Sequence, residues 1–236
     1  MGRKRRGTDQ GIAGARRRAA VTLKFAKGRS PSSGRWLRRQ LKDPFVDSAQ
    51  RLGYRSRAAF KLIQLDDRFH LLRPGARVVD LGAAPGGWTQ VAVERVKGGR
   101  VVSVDAAAMD PVPGAVLLRI DASGADAVAA IRATLDGPAD LVMSDMSAPA
   151  TGHGPTDHLR VAALAEAAYA IARRLLAPGG AFLAKVLRGG AERALLDSLK
   201  RDFALVRHAK PPASRKESRE LYVIATGFRG PQSGER

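Results

Sequence analysis

The sequence predicts a doubly wound α/β fold: a Rossmann-like, seven-stranded, mostly parallel sheet whose last strand is antiparallel. Three observations carry this expectation. From residue 77 onward, short apolar runs alternate with helical patterns, as in a parallel sheet covered by helices on both faces. Within Val78-Val79-Asp80-Leu81-Gly82-Ala83-Ala84-Pro85-Gly86-Gly87-Trp88, an apolar run, a glycine-rich turn and a helical pattern follow one another. The last two apolar runs are joined by residues 210–219, which lack helical periodicity, so the final strand enters as a hairpin partner.

Taken in order, residues 1–33 read as a basic disordered tail, ending in the hinge Ser30-Pro31-Ser32-Ser33. Residues 34–230 read as one domain, the default for a chain of 236 residues, and residues 231–236 as a disordered C-terminus. Asp43-Pro44 starts a helix over Phe45 to Leu52, which Gly53 ends. A second helix is expected over Ser56 to Phe69, with Ala59, Phe60, Leu62 and Ile63 inward and Arg57 and Lys61 elsewhere. Strands follow at 77–81, 100–104, 115–120, 139–144, 181–187, 203–209 and 220–226. Helices are expected at 88–96, 124–135, 157–176 and 190–201.

Charge narrows the partners. The chain has 41 Lys and Arg against 22 acids, a net charge of +19. Residues 1–42 hold 14 of those bases and one acid, Asp9. Such a tail points to a polyanion and most directly to nucleic acid. It lacks the amphipathic apolar face of a membrane-surface segment, and a merely solubilising tail is the bland alternative. Cysteine is absent, which removes disulfides and thiolate metal sites and suits a reducing, cytoplasmic setting. No apolar run reaches membrane-spanning length. No apolar h-region follows Arg3-Lys4-Arg5-Arg6, so a secretory signal is not expected, although an Arg-rich, acid-poor start is also the composition of an organellar transit peptide.

The glycine loop implies a ligand close to the backbone. Its spacing, Gly82, Gly86 and Gly87, is not the Gly-x-Gly-x-x-Gly of a dinucleotide site, and no Gly-Lys-Ser/Thr of a phosphate loop follows. A nucleoside-like ligand without a pyrophosphate remains, and S-adenosylmethionine is the candidate. In open α/β sheets ligands sit beyond the carboxyl ends of the strands. Acids stand there: Asp105 placed to accept from a ribose diol, Asp121 for an adenine amino group, and Asp145 after the fourth strand. Any one of them alone reads equally as a turn cap. Asp80 serves the loop or a ligand ammonium, and Trp88 packs beside the ligand or anchors its helix. Lys185 lies in an otherwise apolar strand, an unfavourable position unless paired or functional. Lys61 and Glu220 complete a candidate set, both weak on their own residue types.

Five ordered stretches carry a resemblance. They are Arg55-Ser56-Arg57-Ala58-Ala59-Phe60-Lys61-Leu62, Asp80 through Trp88, Met143-Ser144-Asp145-Met146, Leu176-Ala177-Pro178-Gly179-Gly180 before Lys185, and Ser214-Arg215 to Ser218-Arg219-Glu220-Leu221-Tyr222. From about Ser33 to Gly230 the chain resembles the FtsJ-type ribosomal RNA 2′-O-methyltransferases. The resemblance implies the class I S-adenosylmethionine-dependent methyltransferase version of the fold. It also implies a catalytic Lys61, Asp145, Lys185 and Glu220, with cofactor contacts at Gly86, Trp88, Asp105, Asp121 and Asp145. The implied substrate is a uridine ribose in the A-loop of large-subunit ribosomal RNA, within the large ribosomal subunit, with the protein acting as a monomer. One departure stands out: the family's Asp-Met-Ala-Pro is Asp145-Met146-Ser147-Ala148-Pro149 here, which alters the substrate loop through His153.

Lys185 is expected either to take the proton of the 2′-hydroxyl or to orient that hydroxyl. Burial and a second ammonium favour a neutral lysine; nearby acids favour a charged one. The glycine spacing argues against a nicotinamide oxidoreductase. A non-catalytic assembly factor would not need four such residues, whereas a methyltransferase acting on another RNA, such as a messenger cap, would. Base-amino methylation calls for a different sequence after strand four. The four histidines (70, 153, 158 and 208) form no tight ligand pattern, so no metal is expected. RNA contacts are expected from the tail, from Arg51, Arg55 and Arg57, and from Arg207, Lys210, Arg215, Lys216 and Arg219.

Overall fold

The computed structural model describes residues 43–149, 151–189 and 193–230. The expectations for residues 1–33 and 231–236 lie outside these. The elements run α1 (Pro44–Leu52), α2 (Ala59–Phe69), β1 (Arg77–Leu81), α3 (Gly87–Val96), β2 (Arg100–Val104), β3 (Ala115–Leu118), α4 (Ala127–Leu135), β4 (Ala139–Ser144), α5 (Gly154–Leu175), β5 (Leu176–Leu187), α6 (Arg193–Asp202), β6 (Phe203–Ala209) and β7 (Glu220–Phe228).

The strands form one seven-stranded sheet in the order β3-β2-β1-β4-β5-β7-β6. The pairs among β1 to β5 are parallel, and β7 runs antiparallel to both β5 and β6. The last strand is thus reversed as expected, but it inserts between β5 and β6 rather than extending the edge. The strand order reverses between β1 and β4, the switch point beyond which open α/β sheets generally bind their ligands.

Each face of the sheet carries its own core. On one side α4, α5 and α6 cover Val79, Leu81, Val102, Val142, Phe182 and Val223. On the other, α2 and α3 cover Val78, Val101, Leu141, Met143, Leu183 and Tyr222. Strands covered on both faces have no polar side to show, which is why they read as continuous apolar runs. Successive residues point to opposite faces, so every rim residue belongs to one side or the other.

Several boundaries differ from the sequence pattern for local reasons. Ser56 to Ala58 form turns closed by Ala59 N–H to the Ser56 carbonyl and Phe60 N–H to the Arg57 carbonyl, so α2 starts at Ala59. Residues 124–126 are likewise a turn, with Ala127 N–H on the Gly124 carbonyl. Pro155 at its start lets α5 begin at Gly154. The strand expected from Ala181 begins at Leu176, because Leu176 pairs with Ala139 and a register shift between Ala139 and Leu141 absorbs the intervening residues. Among the described residues, no helix is long and apolar enough to cross a membrane.

Candidate active site

The glycine loop joins β1 to α3. Gly82 has φ 73° and Gly86 φ 108°, in the left-handed region that side chains disfavour. On the side a Cβ would take, the protein itself comes close to both glycines. A Cβ on Gly82 would collide with Met146 Cγ, and one on Gly86 would lie 2.8 Å from Arg55 Nη1. Arg55 in turn donates to the carbonyls of Pro85 (3.2 Å), Asp110 (2.5 Å) and Pro111 (2.7 Å), tying this loop to the one after β2.

Asp105 and Asp121 follow their strands as the sequence suggests, and each already holds backbone. Asp105 accepts from Ala84 N–H at 2.9 Å and from Ala107 N–H at 2.7 Å. Asp121 accepts from the backbone and hydroxyl of Ser123, which hold its carboxyl below the ordinary carboxylate value. A carboxylate has about four acceptor sites, so Asp105 retains capacity for a diol. Trp88 is buried; its indole N–H donates to the Ala58 carbonyl at 2.9 Å and its ring lies 5.7 Å from that of Tyr222. Of the two roles expected for it, the anchoring of α3 is the one these contacts describe.

Asp80 lies under the loop. One oxygen accepts from Thr89 at 2.7 Å; the other is buried with no hydrogen-bond partner among the described residues. Burial pushes its carboxyl up to about 7, opposed by Thr89 and reinforced by Asp145 and Asp105.

Lys61, Asp145, Lys185 and Glu220 come together across the rim from α2, the end of β4, β5 and the start of β7. Lys61 Nζ sits 2.6 Å from Glu220 Oε1. Lys185 Nζ sits 3.1 Å from Asp145 Oδ1 and donates to the Asp145 carbonyl at 2.6 Å. Both lysines are 7% exposed. Lys61 thereby corrects the expectation that it points away from the buried face of α2: its ammonium is enclosed because Glu220 compensates it. Burial pushes the Glu220 carboxyl up, but Lys61, then Lys185 and Ser214, outweigh it, and the group sits below its ordinary value.

Tyr222 joins the two ion pairs and was not expected as a site residue. Its hydroxyl lies 2.8 Å from Asp145 Oδ1 and 3.1 Å from Glu220 Oε1, so one proton serves two carboxylates. Burial and those two charges push the phenol well above its ordinary value. Two sequence signals pointed to it: Tyr222 shares a face of β7 with Glu220, and it closes the last of the five stretches that carry the resemblance.

Several cations expected to contact RNA are spent on structure. Arg55 clamps the two loops, Arg57 donates to the Ala213 carbonyl at 2.6 Å, and Lys210 donates to the carbonyls of Lys216 (3.0 Å) and Ser218 (2.6 Å). Arg51 pairs with Asp47 at 3.6 Å on its own helix. Arg207, Lys216 and Arg219 are exposed. His153 meets Thr156 Oγ1 at 2.8 Å at the start of α5. Among the described residues, no group of three or more His, Asp or Glu could hold a metal ion.

A sheet of this order with a glycine loop after its first strand is the class I methyltransferase arrangement, in the Rossmann-like α/β class. Comparison with known proteins makes the assignment particular. The model of the FtsJ-like methyltransferase family matches residues 54–228, and the chain belongs to that family. A relative from Paramagnetospirillum magneticum, called Ribosomal RNA large subunit methyltransferase E, is 59% identical over 231 residues, 95% of either chain. One of the same name from Acidiphilium cryptum is 58% identical over 216 residues, covering 92% of this chain and 96% of its own. The crystal structure of a ribosomal RNA methyltransferase from Plasmodium falciparum matches with a TM-score of 0.68 at 29% identity, over 75% of this chain and 100% of that one.

Proposed function

We propose that this methyltransferase transfers the methyl group of S-adenosylmethionine to the ribose 2′-hydroxyl of a uridine in large-subunit ribosomal RNA, in the A-loop of the large subunit. The observation that carries the reading is the paired arrangement Lys61–Glu220 and Lys185–Asp145, linked by Tyr222 at the rim beside the glycine loop. The names of the relatives support ribosomal RNA as the substrate class.

The residues present suit the cofactor. Gly86 with its left-handed backbone, Trp88 in the helix that follows, and Asp105 and Asp121 at the strand ends would hold it. Asp80 offers a buried carboxylate oxygen without a partner for a cationic group. When bound, S-adenosylmethionine supplies an electrophilic methyl on a sulfonium. The protein's own task is the hydroxyl. A ribose 2′-OH is a weak nucleophile, and its proton must leave as the new carbon–oxygen bond forms. Lys185 directs two of its nitrogen positions to Asp145. One position remains: a third N–H if the amine is charged, a lone pair if it is neutral. The first orients the 2′-oxygen and the second takes its proton. Asp145 fixes the direction of that nitrogen in either case, and the Lys61–Glu220 pair sets the field across from it.

The test is incubation with labelled cofactor and large ribosomal subunits, followed by mapping of 2′-O-methyl groups. One methylated uridine in the A-loop is expected. Lys185→Ala should keep cofactor affinity and lose about 10²–10⁴-fold in transfer rate, the range of general acid–base catalysis. Transfer at the wild-type rate by that variant would remove Lys185 from the mechanism.

A further inference from the structure

Beyond Leu187 and Glu220, the last paired residues of β5 and β7, the ladder continues by one backbone bond from Arg188 N–H to the Arg219 carbonyl at 2.8 Å. Arg188 and Arg219 are therefore cross-strand neighbours. Alternation gives them the same face as Val186 and Leu221, which pack on the α5 side. Lys185, Glu220 and Tyr222 point to the opposite side, toward α2. Both arginines are exposed, and neither guanidinium has a hydrogen bond or ion pair among the described residues. Like charges directly opposite on neighbouring strands oppose pairing. An anion between them reverses the sign.

A third polar group borders the same spot. Gly189, with φ 146°, lets the chain pass close to α5: a Cβ there would lie 2.9 Å from His158 Nδ1 and 3.5 Å from Arg219 Nη2. The other ring nitrogen, His158 Nε2, is buried with no hydrogen-bond partner among the described residues. Among the described residues, Asp145 is engaged with Lys185 and Tyr222, Glu220 with Lys61, Ser214 and Tyr222, and Asp157 with Thr151, while Glu217, two residues before Arg219, is exposed. Two exposed guanidiniums bordered by the Nδ1 edge of an imidazole match the oxygens of a phosphate.

We propose that Arg188, Arg219 and His158 hold the phosphodiester next to the target nucleotide. The RNA strand crosses the ends of β5 and β7, with its target ribose on the α2 side and the neighbouring phosphate on the α5 side. This rests on the reading of the protein as an RNA ribose methyltransferase.

The experiment compares the full-length wild type with Arg188→Gln/Arg219→Gln, Arg188→Lys/Arg219→Lys, His158→Ala and Arg73→Gln in cosedimentation with large ribosomal subunits across a salt series. Arg73 is an exposed arginine before β1, at the opposite end of the sheet. Expected are at least tenfold weaker binding for the glutamine pair and a salt slope shallower by about 0.7, the value for one phosphate on a single strand. The lysine pair should recover most of the slope, His158→Ala should weaken binding in the same direction, and Arg73→Gln should match the wild type. In methyl transfer the glutamine pair should raise KM for subunits at least tenfold while kcat stays within about twofold. Unchanged binding by the glutamine pair overturns the proposal, as does an equal loss in Arg73→Gln or a fall confined to kcat. Absence of methyl transfer by the wild type would instead sink the ribose reading; the binding series still decides whether the pair holds a phosphate.

Discussion

Asp80 shows how a buried carboxyl can be held at a cost to the fold. Its carboxyl, ordinarily near 3.8, is pushed to about 7 by burial. The native state therefore binds that proton more tightly than the unfolded chain does. Its contribution to stability is fully present below about pH 4 and is lost as pH rises toward 7. Above that, an ionised carboxylate is buried with one oxygen unmet, a penalty of at most about 4 kcal/mol at 1.36 kcal/mol per unit. Asp80→Asn should flatten the dependence of Tm on pH between 4 and 7 in protein without cofactor. Superimposable wild-type and variant profiles in calorimetry would show that Asp80 titrates normally. Bound cofactor should raise Tm above pH 7 more for the wild type than for the variant. The identity of Asp80 was readable in the sequence; its missing hydrogen bond was not, because that depends on which neighbours fail to reach it. Lys61 shows the reverse. Spacing along α2 gave no reason to bury it, since its compensating partner, Glu220, lies far away in sequence.

Among the elements, the loops at the rim were the least legible. The glycines of residues 82–87 read as room for a ligand, whereas their immediate neighbours are Met146, Arg55 and Ser56. Arg55 read as an RNA contact and is instead the clamp between this loop and residues 110–111. From that clamp follows a separable prediction. Arg55→Ala should raise KM for S-adenosylmethionine about tenfold by releasing both loops, and leave the salt slope of subunit binding unchanged. A flattened slope with normal cofactor KM would return Arg55 to the RNA surface. Strand positions, by contrast, were read within a residue or two except at β5, which was expected from Ala181 and begins at Leu176 through the register shift opposite Ala139. The extra residues lie in β5 itself, at Ala177-Pro178-Gly179-Gly180, and Gly179 with φ 81° takes the backbone turn that the bulge needs.

For the whole molecule, charge and topology act separately. Of the net +19, the first 42 residues contribute +13 and the rest +6, so the excess positive charge is concentrated at one end of the chain. Deleting residues 1–30 removes ten Lys and Arg. It should weaken subunit binding at low salt and flatten its salt dependence while kcat stays within about twofold. An unchanged slope would count against a binding tail. The order of strands was legible only in part. Alternation of elements gives a parallel sheet and a helix-free connection gives a reversed strand, but nothing local says that β7 enters between β5 and β6.

That insertion has a practical corollary for labelling. Every parallel strand arrives at the working end of the sheet; β7 departs from it, starting at Glu220 and finishing at Phe228. At about 3.4 Å per residue it carries the chain some 25–30 Å away before the polypeptide leaves the sheet. A fluorophore or affinity handle placed after Gly230 would thus be held at arm's length from the reacting ribose. It should leave turnover on ribosomal subunits within about twofold of the unlabelled protein. The same handle inserted among residues 210–219, where β7 begins, should abolish turnover.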